Sequence, residues 1–477
     1  MTRVRKIPIL FLFGGLSLMA QPKDPNKLIY VLPNVVGSQG ISGLRARTEV
    51  FNNDGGFSQA LIDGVGSTSN FVNVAPSNLG RAFNLGIATQ LSALPIASPA
   101  SGVLFQQDEA TGALIPGADS LGTILTERAE TIGRRKFYLG FSRQQIRFNQ
   151  IEGQDIGQSR ILYSGGDATN ITQNGRAQTI APVVYDVNMD VRLDQNVAFF
   201  TYGLTSRVDV SAALTWVNAT VGAYGYHAKM YNSGNPGDNG TCWCGATLNV
   251  AASQKDPGGL GLAGLETGPF GGARRTSSGI GDTLIRVKGT VLQRPTYALA
   301  VGGDLRLPTG DAYNYHGSGA TSVKPFAALS LHSRGIGRVR FSPNFNIGYQ
   351  VSSSSVLTGD PVTGEKSRLP DQFVWSAGTG ISVSRRVTFV ADVLQNRLID
   401  ANRLVSTSVA GRGASAGMAT GFALTASKQS YALSSGSFGV KIKMQGNFVF
   451  SANMLTALDS NGMRDKVVPL FGVGYSF

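Results

Sequence analysis

The last residues of the chain, Val467 to Phe477, alternate in character without interruption. Val467, Pro469, Phe471, Val473, Tyr475 and Phe477 share one face of an extended strand, and Val468, Leu470, Gly472, Gly474 and Ser476 share the other. Successive side chains of a strand point to opposite faces. A terminal strand with an apolar, aromatic outer row is how a membrane-spanning barrel closes, because its backbone pairs on both sides while its outer face meets lipid. The edge strand of a soluble sheet can carry the same local pattern, so recurrence upstream has to decide.

The pattern recurs. Period-two counting gives about twelve strands after residue 130, near 132–149, 181–202, 206–224, 275–293, 295–309, 321–333, 336–352, 371–384, 386–399, 432–444, 447–457 and 465–477. Val339, Phe341, Pro343, Phe345, Ile347, Tyr349 and Val351 face away from Arg338, Arg340, Ser342, Asn344, Asn346 and Gln350. Thr283, Ile285, Val287 and Val291 oppose Asp282, Arg286, Lys288 and Thr290, and Val187, Met189, Val191 and Leu193 oppose Asp186, Asn188, Asp190 and Arg192. The strand at 136–149 breaks step, since Arg143 shares the parity of Phe137, Leu139 and Phe141. A bulge there, or a strand rising above the membrane, explains it. Tight turns (Gly203–Arg207, Leu292–Pro295, Ser333–Gly337, Ser384–Arg386, Met444–Asn447) alternate with long stretches at 150–180, 225–274, 310–320, 353–370 and 400–431. That rhythm belongs to outer-membrane barrels with both ends in the periplasm.

Composition agrees with strands rather than spanning helices. Mean hydropathy is +0.01 and hydrophobic residues make up 42%, and after residue 20 no apolar run reaches the roughly 18 residues a spanning helix needs. The expectation is an all-β, transmembrane antiparallel β-barrel over 131–477, of about twelve strands with fourteen as the alternative.

The amino terminus reads as a secretory signal over 1–20: Arg3, Arg5 and Lys6 precede an apolar Ile7–Met19, and Ala20 is the expected last residue removed. Removal takes the formal charge from +13 to +10 (13 − 3). A basic surface on an exported chain suits anionic lipopolysaccharide and small anionic solutes, not nucleic acid. In 21–130, Leu79, Phe83, Ile87 and Leu91 recur every fourth residue between Ser77 and Pro95, so a short amphipathic helix is expected at 78–93. Gly102–Gly117 resembles a hairpin turning at Glu109–Gly112. This segment is expected either as a plug in or beneath the lumen or as a periplasmic extension.

If charged faces point inward, the lumen is lined by Asp186, Asp190, Arg192, Asp209, Asp282, Arg286, Lys288, Asp304, Arg306, Arg340, Asp392 and Lys441. Such a lining screens solutes in a narrow channel, with a lean toward anions; alternatively the charges pair and fill the barrel. Cys242 and Cys244 are the only cysteines. A disulfide across one residue, a metal site with His227, and free or intermolecular thiols are all open readings. Asp311 and His316 are the nearest approach to a hydrolytic pair, but no spaced catalytic signature accompanies them. Gly259-Leu-Gly-Leu-Ala-Gly264 formally fits a dinucleotide fingerprint, yet it sits in a Gly-rich loop without strand–helix context. No catalytic residue, metal or cofactor is expected.

Phe199-Phe-Thr-Tyr-Gly-Leu-Thr-Ser-Arg-Val-Asp-Val210, Gly279-Ile-Gly-Asp-Thr283, Leu307-Pro-Thr-Gly-Asp311 and Gly472-Val-Gly-Tyr-Ser-Phe477 occur in this order. Together they resemble elements of an outer-membrane family named for the meta-pathway of phenol degradation, across about 180–477. The resemblance implies a transporter-like barrel for small hydrophobic or aromatic molecules. The resulting expectation is a monomeric, non-enzymatic, porin-like protein in the outer membrane of a Gram-negative bacterium, admitting small solutes passively. The alternative is a structural or surface-interaction barrel with a closed lumen. Expected partners are outer-membrane lipid and lipopolysaccharide, a small-molecule solute, and the barrel-assembly machinery through Phe477.

Overall fold

The computed structural model describes residues 26–31, 83–92, 104–107, 114–117, 121–163, 169–173, 176–224, 228–233, 246–248, 273–332, 339–360, 364–384, 386–410, 420–444 and 447–477. The stretch 1–20 expected as a signal, Cys242, Cys244 and His227 lie outside them. Twelve antiparallel wall strands follow one another around a cylinder. They are β1 (Phe137–Phe148), β2 (Arg176–Gly203), β3 (Val208–Tyr224), β4 (in two parts, Ala273–Ile280 and Thr283–Gln293), β5 (Tyr297–Leu307) and β6 (Ser322–Leu331). Then come β7 (Arg340–Ser352), β8 (Asp371–Ser382), β9 (Val387–Ala410), β10 (Thr420–Lys443), β11 (Phe448–Ala457) and β12 (Val467–Ser476). Each strand pairs with its neighbours in sequence. β12 then pairs with β1, from Leu470 opposite Gln144 to Ser476 opposite Tyr138, and the cylinder is closed. Closure leaves no edge, which a spanning sheet requires because lipid cannot bond a free backbone group.

Alternation decides which side of the wall each residue meets. In β12, Val467, Phe471 and Val473 are exposed on the outside, whereas Val468, Leu470, Gly474 and Ser476 are buried toward the lumen. Phe141, Trp216, Ile285, Val287, Phe345, Ile347, Phe389 and Phe438 continue the exposed apolar row around the barrel. A belt of this extent is a lipid-facing surface, not the exterior of a soluble protein. At the rim carrying the tight turns, aromatic rings gather at the seam. Phe137 stacks on Phe477 at 5.4 Å, and Tyr202 and Tyr475 pack beside them at 4.7 Å and 5.6 Å.

The strand at 136–149 contains no bulge: β1 and β2 keep one register from Phe137 opposite Tyr202 to Phe148 opposite Val191. Its change of character marks the end of the greasy belt. Arg143 points outward opposite Asn196, and beyond that level the exterior is polar. There Asp190 bonds Arg192 at 2.6 Å and Arg274 at 3.6 Å, and Ser278 donates to Asn218 at 2.8 Å. The inward row at this height is apolar: Ile146, Phe148, Met189, Val191, Leu193, Val217, Ala219 and Val221 join one buried cluster. Above the belt the wall is therefore built like a soluble β-protein, wet outside and oily inside.

The hairpin of β9 and β10 is also longer than the alternation alone implied. Strand pairing continues to Ala410 opposite Thr420, with one register shift between Leu398 and Ala401. Much of the stretch expected as a long loop at 400–431 is thus a ribbon rising from the wall.

Candidate functional site

Outward positions of the belt carry bulky side chains, while many inward ones are small. Ala298, Ala300, Ala328, Thr290, Ser330, Thr388 and Ser437 all face in and are buried. Wall side chains of this size cannot fill a twelve-strand cylinder. The chain's own N-terminal residues fill it instead.

Residues 121–132 run through the turn-side half of the lumen without regular secondary structure. A buried backbone that makes no ladder must find side-chain partners for its N–H and C=O groups. The inward row supplies them in sequence order. Thr388 accepts from the Leu121 N–H at 3.4 Å, and the Lys441 Nζ donates to the carbonyls of Leu121 at 3.0 Å and Thr123 at 2.5 Å. Asp392 accepts from the N–H groups of Leu125 and Thr126, each at 3.4 Å. Asn346 brackets Glu127, accepting from its N–H at 2.6 Å and donating to its carbonyl at 2.8 Å. Ser330 accepts from the Ala129 N–H at 2.9 Å, Thr290 donates to the Ala129 carbonyl at 2.6 Å, and Asp209 accepts from the Ile132 N–H at 2.9 Å.

Charge pairs reinforce these contacts. The Lys288 Nζ donates to Glu127 Oε1 at 2.8 Å and to the carbonyls of Arg128 and Glu130, both at 2.9 Å. Arg286 bridges Glu127 at 2.5 Å and Asp304 at 2.6 Å, and Lys324 reaches Asp304 at 3.0 Å. His332 lies 2.5 Å from Glu130. Isolated buried charges are too costly to persist, so pairs of this kind are required rather than ornamental.

Higher in the lumen a helix over 83–92 packs its Phe83, Ile87 and Leu91 into the apolar cluster at the loop side. Arg306 donates to the Leu91 carbonyl at 2.9 Å, and Gln372 donates to the Ser92 hydroxyl at 2.8 Å. Between Ser92 and Leu125 lies a cavity of about 120 Å³, edged by Asp304, Arg306, Lys324, Phe326 and Gln350.

At the loop rim the connection between β5 and β6 clasps residues 26–31. Asp282 accepts from the N–H and the hydroxyl of Ser318, both at 2.8 Å, and Thr309 donates to the Gly281 carbonyl at 2.6 Å. The Gly279–Thr283 and Leu307–Asp311 stretches are thereby locked together. The Asp311 carboxylate accepts from the Tyr313 N–H at 3.0 Å and from Asn314 Nδ2 at 2.9 Å, and Lys27 reaches it at 2.7 Å. Asn314 accepts from the Leu28 N–H at 3.2 Å, Tyr313 lies 6.5 Å from Tyr30, and Tyr315 donates to Asn84. Burial pushes the Tyr315 hydroxyl far above its ordinary range. Burial also lowers the His316 pKa, partly offset by its hydrogen bond with the Ser277 backbone, and its Nε2 has no partner.

Among the residues expected to line the lumen, Asp209, Arg286, Lys288, Asp304, Arg306, Asp392 and Lys441 face inward and touch the N-terminal segment or its salt-bridge partners. Asp282 holds the loop at the rim, and Arg340 is exposed at the turn side. Asp190 and Arg192 are a correction: they lie on the outer face above the belt, because there the apolar row turns toward the core and the charged row toward water. The side chain of Asp186 and both cysteines fall outside the described residues. The sequence did not single out Glu127, Arg128, Glu130 or Ser330, and it placed Asn346 and Thr290 only on the polar faces of their strands. The uncharged wall residues carry no distinctive signal, and an irregular segment has no period to find.

No family model matches this chain, and no curated protein matches it. Among solved structures it is similar to an outer membrane channel from Pseudomonas putida F1, at 11% identity and a TM-score of 0.44, covering 73% of this chain and 98% of that one. It is similar to the NanC porin at 8% identity and a TM-score of 0.34, covering 71% and 98% respectively. LpxR from Salmonella typhimurium is 9% identical with a TM-score of 0.28, covering 71% and 99%.

Proposed function

We propose that this protein is an outer-membrane channel for small molecules in a Gram-negative bacterium, with residues 21–130 as a plug. The tight turns and Phe477 face the periplasm and the long loops face outward. The carrying observation is that small wall side chains leave a lumen occupied by a tethered stretch of chain. A barrel selected only for stability is filled by bulky inward side chains of its own wall. The motif order noted above supports membership of the meta-pathway family and, through it, small hydrophobic or aromatic solutes. The belt supports contact with lipid and lipopolysaccharide, and the terminal aromatic supports recognition of Phe477 by the barrel-assembly machinery.

The density of contacts on 121–132 favours a second reading, a permanently sealed barrel that acts through its outer loops. Planar-bilayer recording separates them. Full-length protein is expected to give small or rare conductance steps, and a variant lacking 21–125 larger and steadier ones. A folded deletion variant that passes no current and admits no solute into liposomes would overturn the channel reading.

A further inference from the structure

The cavity between Ser92 and Leu125 is walled by residues of β4 to β9, and its charges are unevenly shared. Asp304 pairs with Arg286 at 2.6 Å and with Lys324 at 3.0 Å, while Glu127 pairs with Arg286 at 2.5 Å and with Lys288 at 2.8 Å. Both carboxylates therefore already serve two cations. Arg306, the next inward position of β5 after Asp304, has no carboxylate partner among the described residues. Its Nη1 donates to the Leu91 carbonyl at 2.9 Å, its one hydrogen bond among those residues. Exposure divides the same way. Asp304 and Glu127 keep 5% and 7% of their side-chain surface, whereas Lys324 keeps 25% and Arg306 is also only part-buried. The charge turned toward the open space is thus positive, and the negative groups are withdrawn behind it.

A guanidinium held in a narrow lumen without a countercharge is costly, and its planar fork of N–H groups matches a carboxylate or a phosphate. The rest of the wall chooses between them. Leu125, Leu284, Val374 and Leu394 give the cavity an apolar side that an inorganic anion leaves unmatched. Its volume of about 120 Å³ suits a single compact body, since an apolar cavity of about 150 Å³ holds one benzene. From this pairing of spare positive charge with an apolar wall we infer that the cavity binds one small organic monocarboxylate. The carboxylate lies on Arg306 and Lys324, and the hydrocarbon body lies against the leucines and Val374. The inference deepens the channel reading and rests on it for the role of the site, a resting place for the solute inside the lumen. Such a site must release what it holds, so weak binding is what passage requires.

Ligand-observed NMR on the full-length protein in detergent, against a protein-free micelle blank, reads binding without requiring passage. Benzoate is the probe, benzamide its neutral isostere and inorganic phosphate the bare anion. The wild type is expected to bind benzoate at least about tenfold more tightly than benzamide, the usual worth of a hydrogen bond to a charged group, and more tightly than phosphate. Arg306→Gln keeps a donor but removes the charge, so it should weaken benzoate about tenfold and leave benzamide unchanged. Val374→Phe fills the apolar side and should weaken benzoate with Arg306 in place. Heat-modifiable electrophoretic mobility checks that each variant folds. Equal binding of benzoate and benzamide by the wild type overturns the inference without recourse to any variant, and phosphate binding as tightly as benzoate overturns the organic class. Undiminished benzoate binding by folded Arg306→Gln overturns the site. Solute entry into liposomes is measured separately. Entry without benzoate binding overturns the site and leaves the channel standing, whereas binding without any entry upholds the site and overturns the channel reading.

Discussion

The Lys288 ammonium sits 2.8 Å from the Glu127 carboxylate, and both side chains are shut away from water inside the barrel. One belongs to the wall and the other to the N-terminal segment. Removing one member of a buried pair leaves its partner uncompensated, which costs about 3 kcal/mol or more. Lys288→Met also strips the donor from the carbonyls of Arg128 and Glu130. The variant should show more frequent open-channel events in planar bilayers and a lower unfolding midpoint in detergent. An unchanged conductance trace together with an unchanged midpoint would refute a holding role for this pair.

Gly203 sets how closely the segment can leave the lumen. A methyl carbon built on it would lie 1.8 Å from the Gly133 carbonyl oxygen, a backbone atom that cannot swing aside. Gly203→Ala should therefore displace 132–136 at a cost of about 1–3 kcal/mol. A reduced yield of heat-modifiable folded barrel is expected, and recovery at the wild-type level would show that the rim can yield.

The loop-side clasp should respond to acid through His316. Burial holds its folded-state pKa below the ordinary value, which is about 6.5 in unfolded chains. The unfolded chain thus binds the proton more readily, so stability is full above about pH 6.5 and declines as pH falls below it. Limited proteolysis of the 308–321 loop should accelerate at pH 5 relative to pH 7.5. His316→Gln should flatten that difference, and a variant as acid-sensitive as wild type would assign the effect to another group.

Phe477 contributes more than a chain end. Its N–H and carbonyl pair with Phe137, and its ring stacks there and on Tyr475. An offset aromatic pair adds about 1 kcal/mol beyond its buried area. Phe477→Ala should slow barrel assembly in cells and lower the folded fraction, read by gel mobility of pulse-labelled protein. Assembly at the normal rate would place closure elsewhere in the seam.

The twelve wall strands were legible because a period of two runs through them, with one break at Arg143, and the tight turns because Gly, Ser, Asn and, at Leu292–Pro295, Pro punctuate the pattern. What alternation does not say is which solvent each face meets. Asp190 and Arg192 alternate with Met189 and Val191 in the same manner as Arg286 and Lys288 with Ile285 and Val287, yet the two sets face opposite ways. The difference is height relative to the lipid, a property of the assembled barrel. Arg143 was the one local hint, since a charge on the greasy parity marks where the grease ends. The contacts of the filling segment, which was expected only as a plug or a periplasmic extension, were not legible for a different reason: its backbone is satisfied residue by residue from the wall, so nothing in 121–132 need repeat.

The change of character at Arg143 and Asn196 has a mechanical consequence. Sinking the cylinder by one residue pair would drag Asp194 and Arg192 toward hydrocarbon, at up to about 2–4 kcal/mol for an arginine that reached the midplane and less for an aspartate. Raising it would strand Phe141, Leu214 and Trp216 in water. The molecule therefore carries its own Plimsoll mark, and its draught in the bilayer is written into the strands themselves.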